Sequence, residues 1–143
     1  MSKSIQHTFQ YSHAPEVVWE YLTKSELIAQ WLMPNDFEPV VGSDFQFKTK
    51  PLPQFEFDGI AHCKVLEIIP FKKLSYSWKG GIDGRTTLDS IVVWTLTPTA
   101  TGTELHLNHS GYIDDTTAIY KAMDAGWLSN IKKIAQLIIT KKA

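Results

Sequence analysis

Between Asn35 and Gly111 the chain runs in short alternating segments, DFEPV, DFQFKTK, FEFDGIAHCKVLEII, KLSYSWK, LDSIVVWTLT and TELHLNHS. After Asp114 the texture changes, with apolar residues at 119, 120, 123, 127, 131, 134, 135 and 138, spaced by threes and fours. A period of two marks half-buried strands, and a period near 3.6 marks an amphipathic helix. Each strand face and the helix stripe must be buried, and the economical solution lays the helix across the sheet. The breaks at Val41-Gly42-Ser43, Pro70 to Lys73, Gly80 to Arg85 and Pro98 to Gly102 have the turn chemistry of an antiparallel meander.

Upstream, IQHTFQY alternates with Ile5, His7, Phe9 and Tyr11 on one face, which predicts a first strand. APEVVWEYL then predicts a short helix with Pro15 in its first turn beside Glu16, followed by a second short helix capped by Ser25. Asp114 or Asp115 would cap the long final helix. The class is α+β, a curved antiparallel sheet of about six to seven strands wrapped around a long C-terminal helix, with two short helices after strand one. At 143 residues the chain is expected to form one domain, 1–143.

The inner face of that sheet holds the candidate site. If Ile69 pairs with Leu74, the residues sharing a face with Tyr76 and Trp78 are Phe57, Gly59, Ala61, Cys63, Val65 and Glu67. Small side chains thus floor a region walled by Phe47, Trp94, Leu107 and His109. Interiors pack to crystal-like density, so such a floor needs either large partners or a ligand. Met123 and Trp127 could fill it from the helix. Gly126 beside them costs about 1 kcal/mol against alanine in mid-helix, which suggests a packing or access reason. Trp31 and Met33, in WLMPNDF, either rim the cavity or pack into the core.

Other chemistry is poorly supported. There is no G-x-S-x-G, and Cys63 lies mid-strand, away from any helix N-terminus that would activate it. His106 and His109 point to opposite faces, no spacing resembles a metal motif, and neither metal nor cofactor is expected. Glu67 is the clear inward carboxylate, able to pair with His109 or Tyr76 for acid-base work or simply to order the pocket. The loop KGGIDGRT, with the chain's single arginine, Arg85, reads as a flexible hairpin near a pocket mouth rather than a phosphate cradle. Fifteen acidic and fourteen basic residues give a formal charge of -1, with lysines in scattered pairs, which disfavours nucleic acid. No apolar run is long enough to enter a bilayer, and MSKSIQHTFQ has no secretory h-region, so a cytoplasmic location is expected.

Several stretches taken together resemble a known family. They are Ala14-Pro15 with Val18-Trp19, Trp31-Leu32-Met33-Pro34, Gly59 followed by Val65-Leu66-Glu67-Ile68 and Pro70, Leu74-Ser75-Tyr76-Ser77-Trp78, Val92 to Pro98, Gly102-Thr103-Glu104-Leu105, His109-Ser110-Gly111 and Gly126-Trp127. Their order resembles the Bet v 1-like or START-like (SRPBCC) superfamily, and within it the group named after the C-terminal domain of the activator of heat shock protein 90 ATPase. Phe71 stands where relatives often place a second proline. The resemblance implies a helix-grip fold whose internal pocket holds lipid-, polyketide- or flavonoid-like molecules in many relatives, without fixing one activity. Three functions follow as expectations. The first is non-catalytic binding of a small hydrophobic molecule by Trp31, Phe47, Phe57, Cys63, Glu67, Tyr76, Trp78, Trp94, His109, Met123 and Trp127. The others are a chaperone-interacting module and a cyclase or hydratase using Glu67 and His109.

Overall fold

The computed structural model describes residues 3–112 and 118–142. In chain order they form β1 (Lys3–Tyr11), α1 (Pro15–Thr23), α2 (Ser25–Trp31), β2 (Asp44–Lys48), a 3-10 turn (Pro53–Phe55), β3 (Ile60–Ile69), β4 (Lys73–Ile82), β5 (Arg85–Pro98), β6 (Thr103–Tyr112) and α3 (Ala118–Lys142). The strands make one antiparallel sheet in the order β1-β6-β5-β4-β3-β2, so that β1 closes beside the last strand rather than the next. The sheet curves around α3, as expected for a helix-grip α+β fold. Asp114 and Asp115, the expected caps, lie outside the described residues.

The two periodicities place the core where the sequence puts it. Helix α3 buries Trp127, Ile131, Ile134 and Ile138 against the inner face, where Ile5, Leu74, Tyr76, Trp78, Val92, Trp94, Leu96, Leu105 and Leu107 are also buried. Side chains from β1 stitch the helix down: Tyr11 Oη donates to the Ile131 carbonyl at 2.7 Å, Tyr120 Oη donates to the Ser4 carbonyl at 3.0 Å, and His7 Nε2 lies 2.9 Å from Asp124 Oδ1. Helix α1 starts on Pro15, whose missing N–H would have had no helical partner in the first turn.

Three local expectations are corrected. Ser25 does not cap α2; its hydroxyl donates to the Asn35 carbonyl at 2.9 Å, and Lys24 occupies the cap position. DFEPV is not a strand. Asn35 bonds the Ser25 and Met33 carbonyls and accepts from the Phe37 N–H, bending the chain so that Phe37 packs on Phe45 at 4.9 Å. Side chains of this type compete with ladder formation by bonding the local backbone. The same segment closes the outer edge of β2, with Lys48 N–H on the Pro34 carbonyl and Gln46 N–H on Asp36 Oδ1. The glycine-rich stretch forms the expected hairpin. Strands β4 and β5 run to Ile82 and Arg85, joined by Asp83 and Gly84 at φ 53° and 76°, as a tight primed turn requires.

The third correction concerns register. Ile69 faces Lys73, Ile68 faces Leu74 and Glu67 faces Ser75, but Val65 faces Tyr76, with a bulge between Val65 and Glu67. The bulge leaves Ala61, Cys63 and Val65 inward, as expected, and then brings Ile68 against the core while turning Glu67 out. Glu67 forms an ion pair with Lys73 at 2.8 Å, its side chain about half exposed. A register with Glu67 inward would strand a carboxylate among aromatics without a cation, a far costlier arrangement. In the following turn Phe71 adopts φ 66°, a conformation closed to proline, whose ring holds φ near -65°.

Candidate functional site

The inner face divides into a packed aromatic block and a cavity at one end. In the block, Phe45 and Phe47 of β2 lie opposite Cys63 and Ala61 and cover the small-residue floor themselves. Phe47 stacks on Trp78 at 4.9 Å, and Trp94 meets Trp31 and Trp127 edge-on at 5.8 and 5.5 Å. Buried indole N–H groups need acceptors, and three find them. Trp31 Nε1 donates to the Tyr21 carbonyl at 2.7 Å, Trp94 Nε1 to Tyr76 Oη at 3.0 Å, and Trp127 Nε1 to His109 Nδ1 at 2.9 Å.

His109 sits at the centre of a relay. Because its Nδ1 accepts from Trp127, the ring proton belongs on Nε2, which donates to Ser90 Oγ at 2.8 Å, and Ser90 in turn donates to the Trp78 carbonyl at 2.7 Å. The ring is fully buried, and burial pulls its pKa down to about 3, so it is neutral at physiological pH. His109 therefore joins α3, β5 and β4 from behind the indole of Trp127.

The cavity, of about 340 Å³, lies where the first half of α3 passes over β4, β5 and the segment from Thr49 to Phe57. That segment folds back on itself, with Leu52 N–H on the Phe57 carbonyl and a left-handed Glu56 at φ 54°. Three contacts anchor it: Thr49 N–H on the Gly59 carbonyl, Asp58 N–H on the Gly81 carbonyl, and Thr87 Oγ1 on the Glu56 carbonyl at 2.8 Å. Gly59 is required there, since at φ 96° a Cβ would approach the Thr49 carbonyl oxygen to 2.5 Å.

Each element contributes to the lining. The segment gives Leu52, Phe55 and Phe57; the sheet gives Trp78, Gly80 and Leu88; the end of α2 gives Leu32 and Met33; and α3 gives Ile119, Met123, Gly126, Trp127 and Asn130. Gly80 admits the ring of Phe57, which a Cβ there would meet at 3.2 Å, whereas a Cβ on Gly126 would meet nothing within 4 Å. Exposed Glu56, Thr87 and Ala122 mark the mouth.

Of the residues expected to bind a ligand, Phe57, Trp78, Met123 and Trp127 line this cavity. Trp31, Phe47, Tyr76, Trp94 and His109 stand behind it in the packed block, and Cys63 is buried with them, its thiol pKa raised by desolvation. Glu67 lies on the outside, so Glu67 and His109 do not form an acid-base pair. Arg85 reaches Glu56 at 3.9 Å and does not line the cavity. Sequence reasoning missed Leu32, Leu52, Leu88, Ile119 and Asn130. The one available signal was the density of Phe and Leu in PLPQFEF, high for a loop. Among the described residues, no group of three or more His, Cys, Asp or Glu side chains is placed to hold a metal, and no helix is long and apolar enough to cross a membrane.

The sequence pattern of the family described as Activator of Hsp90 ATPase homolog 1-like protein matches residues 12–138. The chain belongs to this family. The family's helix-grip fold is Bet v 1-like, a type that commonly binds hydrophobic ligands. Protein MLL2253 from Mesorhizobium loti is 35% identical over 99% of both chains, with a TM-score of 0.85. The Aha1 dimer from Colwellia psychrerythraea is 19% identical over 95% of this chain and 96% of that one, with a TM-score of 0.78. DynU16, a protein in the dynemicin biosynthetic locus, is 20% identical over 96% of this chain and 48% of its own, with a TM-score of 0.77. The latter two likenesses are of fold. No protein of curated function matches the chain.

Proposed function

We propose that the chain is a single-domain, cytoplasmic, non-catalytic carrier or sensor of a small hydrophobic molecule, held between the first half of α3 and the Thr49–Phe57 segment. The observation that carries this reading is an apolar cavity of about 340 Å³ that persists beside a tightly packed aromatic block. Ligand sites commonly span about 300–1,000 Å³, so this cavity suits a compact ring system better than an extended lipid chain. Trp78 and Trp127 supply flat apolar walls, and Met123 supplies an adaptable one. The catalytic alternative has lost its pair, since Glu67 is outside and His109 is sealed behind Trp127.

An amide-proton titration against fatty acids, sterols, flavonoids and polyketide-like aromatics tests this reading. Saturable shifts are expected at Phe57, Leu88, Met123, Gly126 and Trp127, with little change at Cys63 or Glu67. Silence across the panel, or shifts confined to the outer sheet face, would contradict it.

Contact with an Hsp90-type chaperone is a second reading, favoured by the family's description and by the exposed Val40, Val41 and Leu66. It predicts capture by the chaperone that is weakened by charge reversal at outward Lys48 and Lys64. No capture at all would remove it.

A further inference from the structure

The chemistry of the lining narrows the ligand further. Among the described residues around the cavity there is no lysine, arginine or histidine, and the one charged side chain is Glu56 at the mouth. Arg85, the nearest arginine, is directed to Glu56. His109 is neutral and separated from the cavity by Trp127, whose N–H it accepts. A carboxylate entering here would shed its water with no cation to replace it, and would face the like charge of Glu56.

The polar side chains on offer are few: Thr49, Glu56 and Thr87 at the exposed rim, and Asn130 deeper in the wall. Thr87 spends its hydroxyl proton on the Glu56 carbonyl. Asn130 follows Trp127 by three residues on α3 and is partly buried in the cavity wall, and its side chain makes no hydrogen bond among the described residues. Its carboxamide presents two donors and an acceptor to whatever occupies the space.

We infer that the cavity selects compact neutral ring molecules bearing one hydroxyl or carbonyl, which Asn130 binds, and rejects carboxylates of the same shape. This inference rests on the cavity-binding reading. Phe55, Phe57, Trp78 and Trp127 supply ring faces among aliphatic neighbours, and Asn130 fixes orientation.

Three probes of one shape separate the claims: naphthalene, naphthol and naphthoate, titrated at neutral pH, where naphthol is neutral and naphthoate ionised. Naphthol is expected to bind, with naphthoate at least about tenfold weaker, as the loss of a charged group's solvation implies. In Asn130→Leu, naphthol binding should fall about three- to tenfold, the worth of one hydrogen bond, while naphthalene binding holds. Naphthoate binding as tightly as naphthol overturns the inference while leaving the cavity reading intact, and this comparison needs only the wild-type protein. Equal losses for naphthol and naphthalene in Asn130→Leu, or no loss for naphthol, overturn the role of Asn130. If none of the three binds, the cavity reading fails and this inference falls with it.

Discussion

Between pH 6.5 and pH 3 the protein is expected to lose about 4 kcal/mol of stability through His109 alone. In the folded state the ring stays neutral to about pH 3, because desolvation opposes its charged form. In the unfolded chain it takes up a proton near its ordinary value of 6.5. The unfolded state therefore binds more protons throughout that window, so stability falls as pH falls and is flat above it. Carboxylates titrate in the same range, so the test is the difference between wild type and His109→Gln. Glutamine can still accept from Trp127 and donate to Ser90 but cannot titrate. Urea unfolding at several pH values should show a steeper acid loss in wild type. Parallel pH profiles would mean that His109 is not held neutral by burial, and the relay would need to be redrawn.

Trp94→Ala should cost about 4 kcal/mol, within the range for emptying a fully buried aromatic site. Trp94 meets Trp31 and Trp127 edge-on and donates to Tyr76, so truncation opens a void bordered by groups from α2, α3 and β4. Trp94→Phe retains most of the volume and loses the indole donor, which should cost about 1–2 kcal/mol. Denaturant midpoints read both values. Because Trp94 stands behind the cavity rather than in it, ligand affinity of the folded Trp94→Phe variant should change little. A large affinity loss at near-unchanged stability would move the site into the aromatic block.

The architecture was legible because strand and helix periods fix which side chains face inward before any register is known. Val92, Trp94 and Leu96 on β5, Leu105, Leu107 and His109 on β6, and the stripe through Trp127, Ile131, Ile134 and Ile138 all lie where alternation puts them. Glu67 was not legible, because an extra residue at the Val65–Glu67 bulge leaves no mark in the pattern and reverses the side chains beyond it. The cavity was read in the right fold but displaced along the sheet. Whether Ala61 and Cys63 lie bare depends on how far Phe45 and Phe47 reach across them, a packing question that periodicity does not address. The Thr49–Phe57 wall escaped for another reason. Pro51 and Pro53 break any repeat there, and the segment takes its shape from bonds to distant Gly59, Gly81 and Thr87. His109 could be seen to face inward, but its partner Ser90 follows only from the pairing of β5 with β6 and β4.

The proposed ligand site is the space beside Gly126. Gly126→Leu tests it most directly, because a Cβ there meets nothing within 4 Å and the larger side chain enters the cavity rather than the packed block. Leucine is also the better helix former, by roughly 0.8 kcal/mol. This variant is expected to keep or raise its melting temperature while naphthol binding falls at least about tenfold, the occluded volume leaving no room for a ring. A folded Gly126→Leu protein that binds naphthol as tightly as wild type, with the same residues shifting, would contradict it.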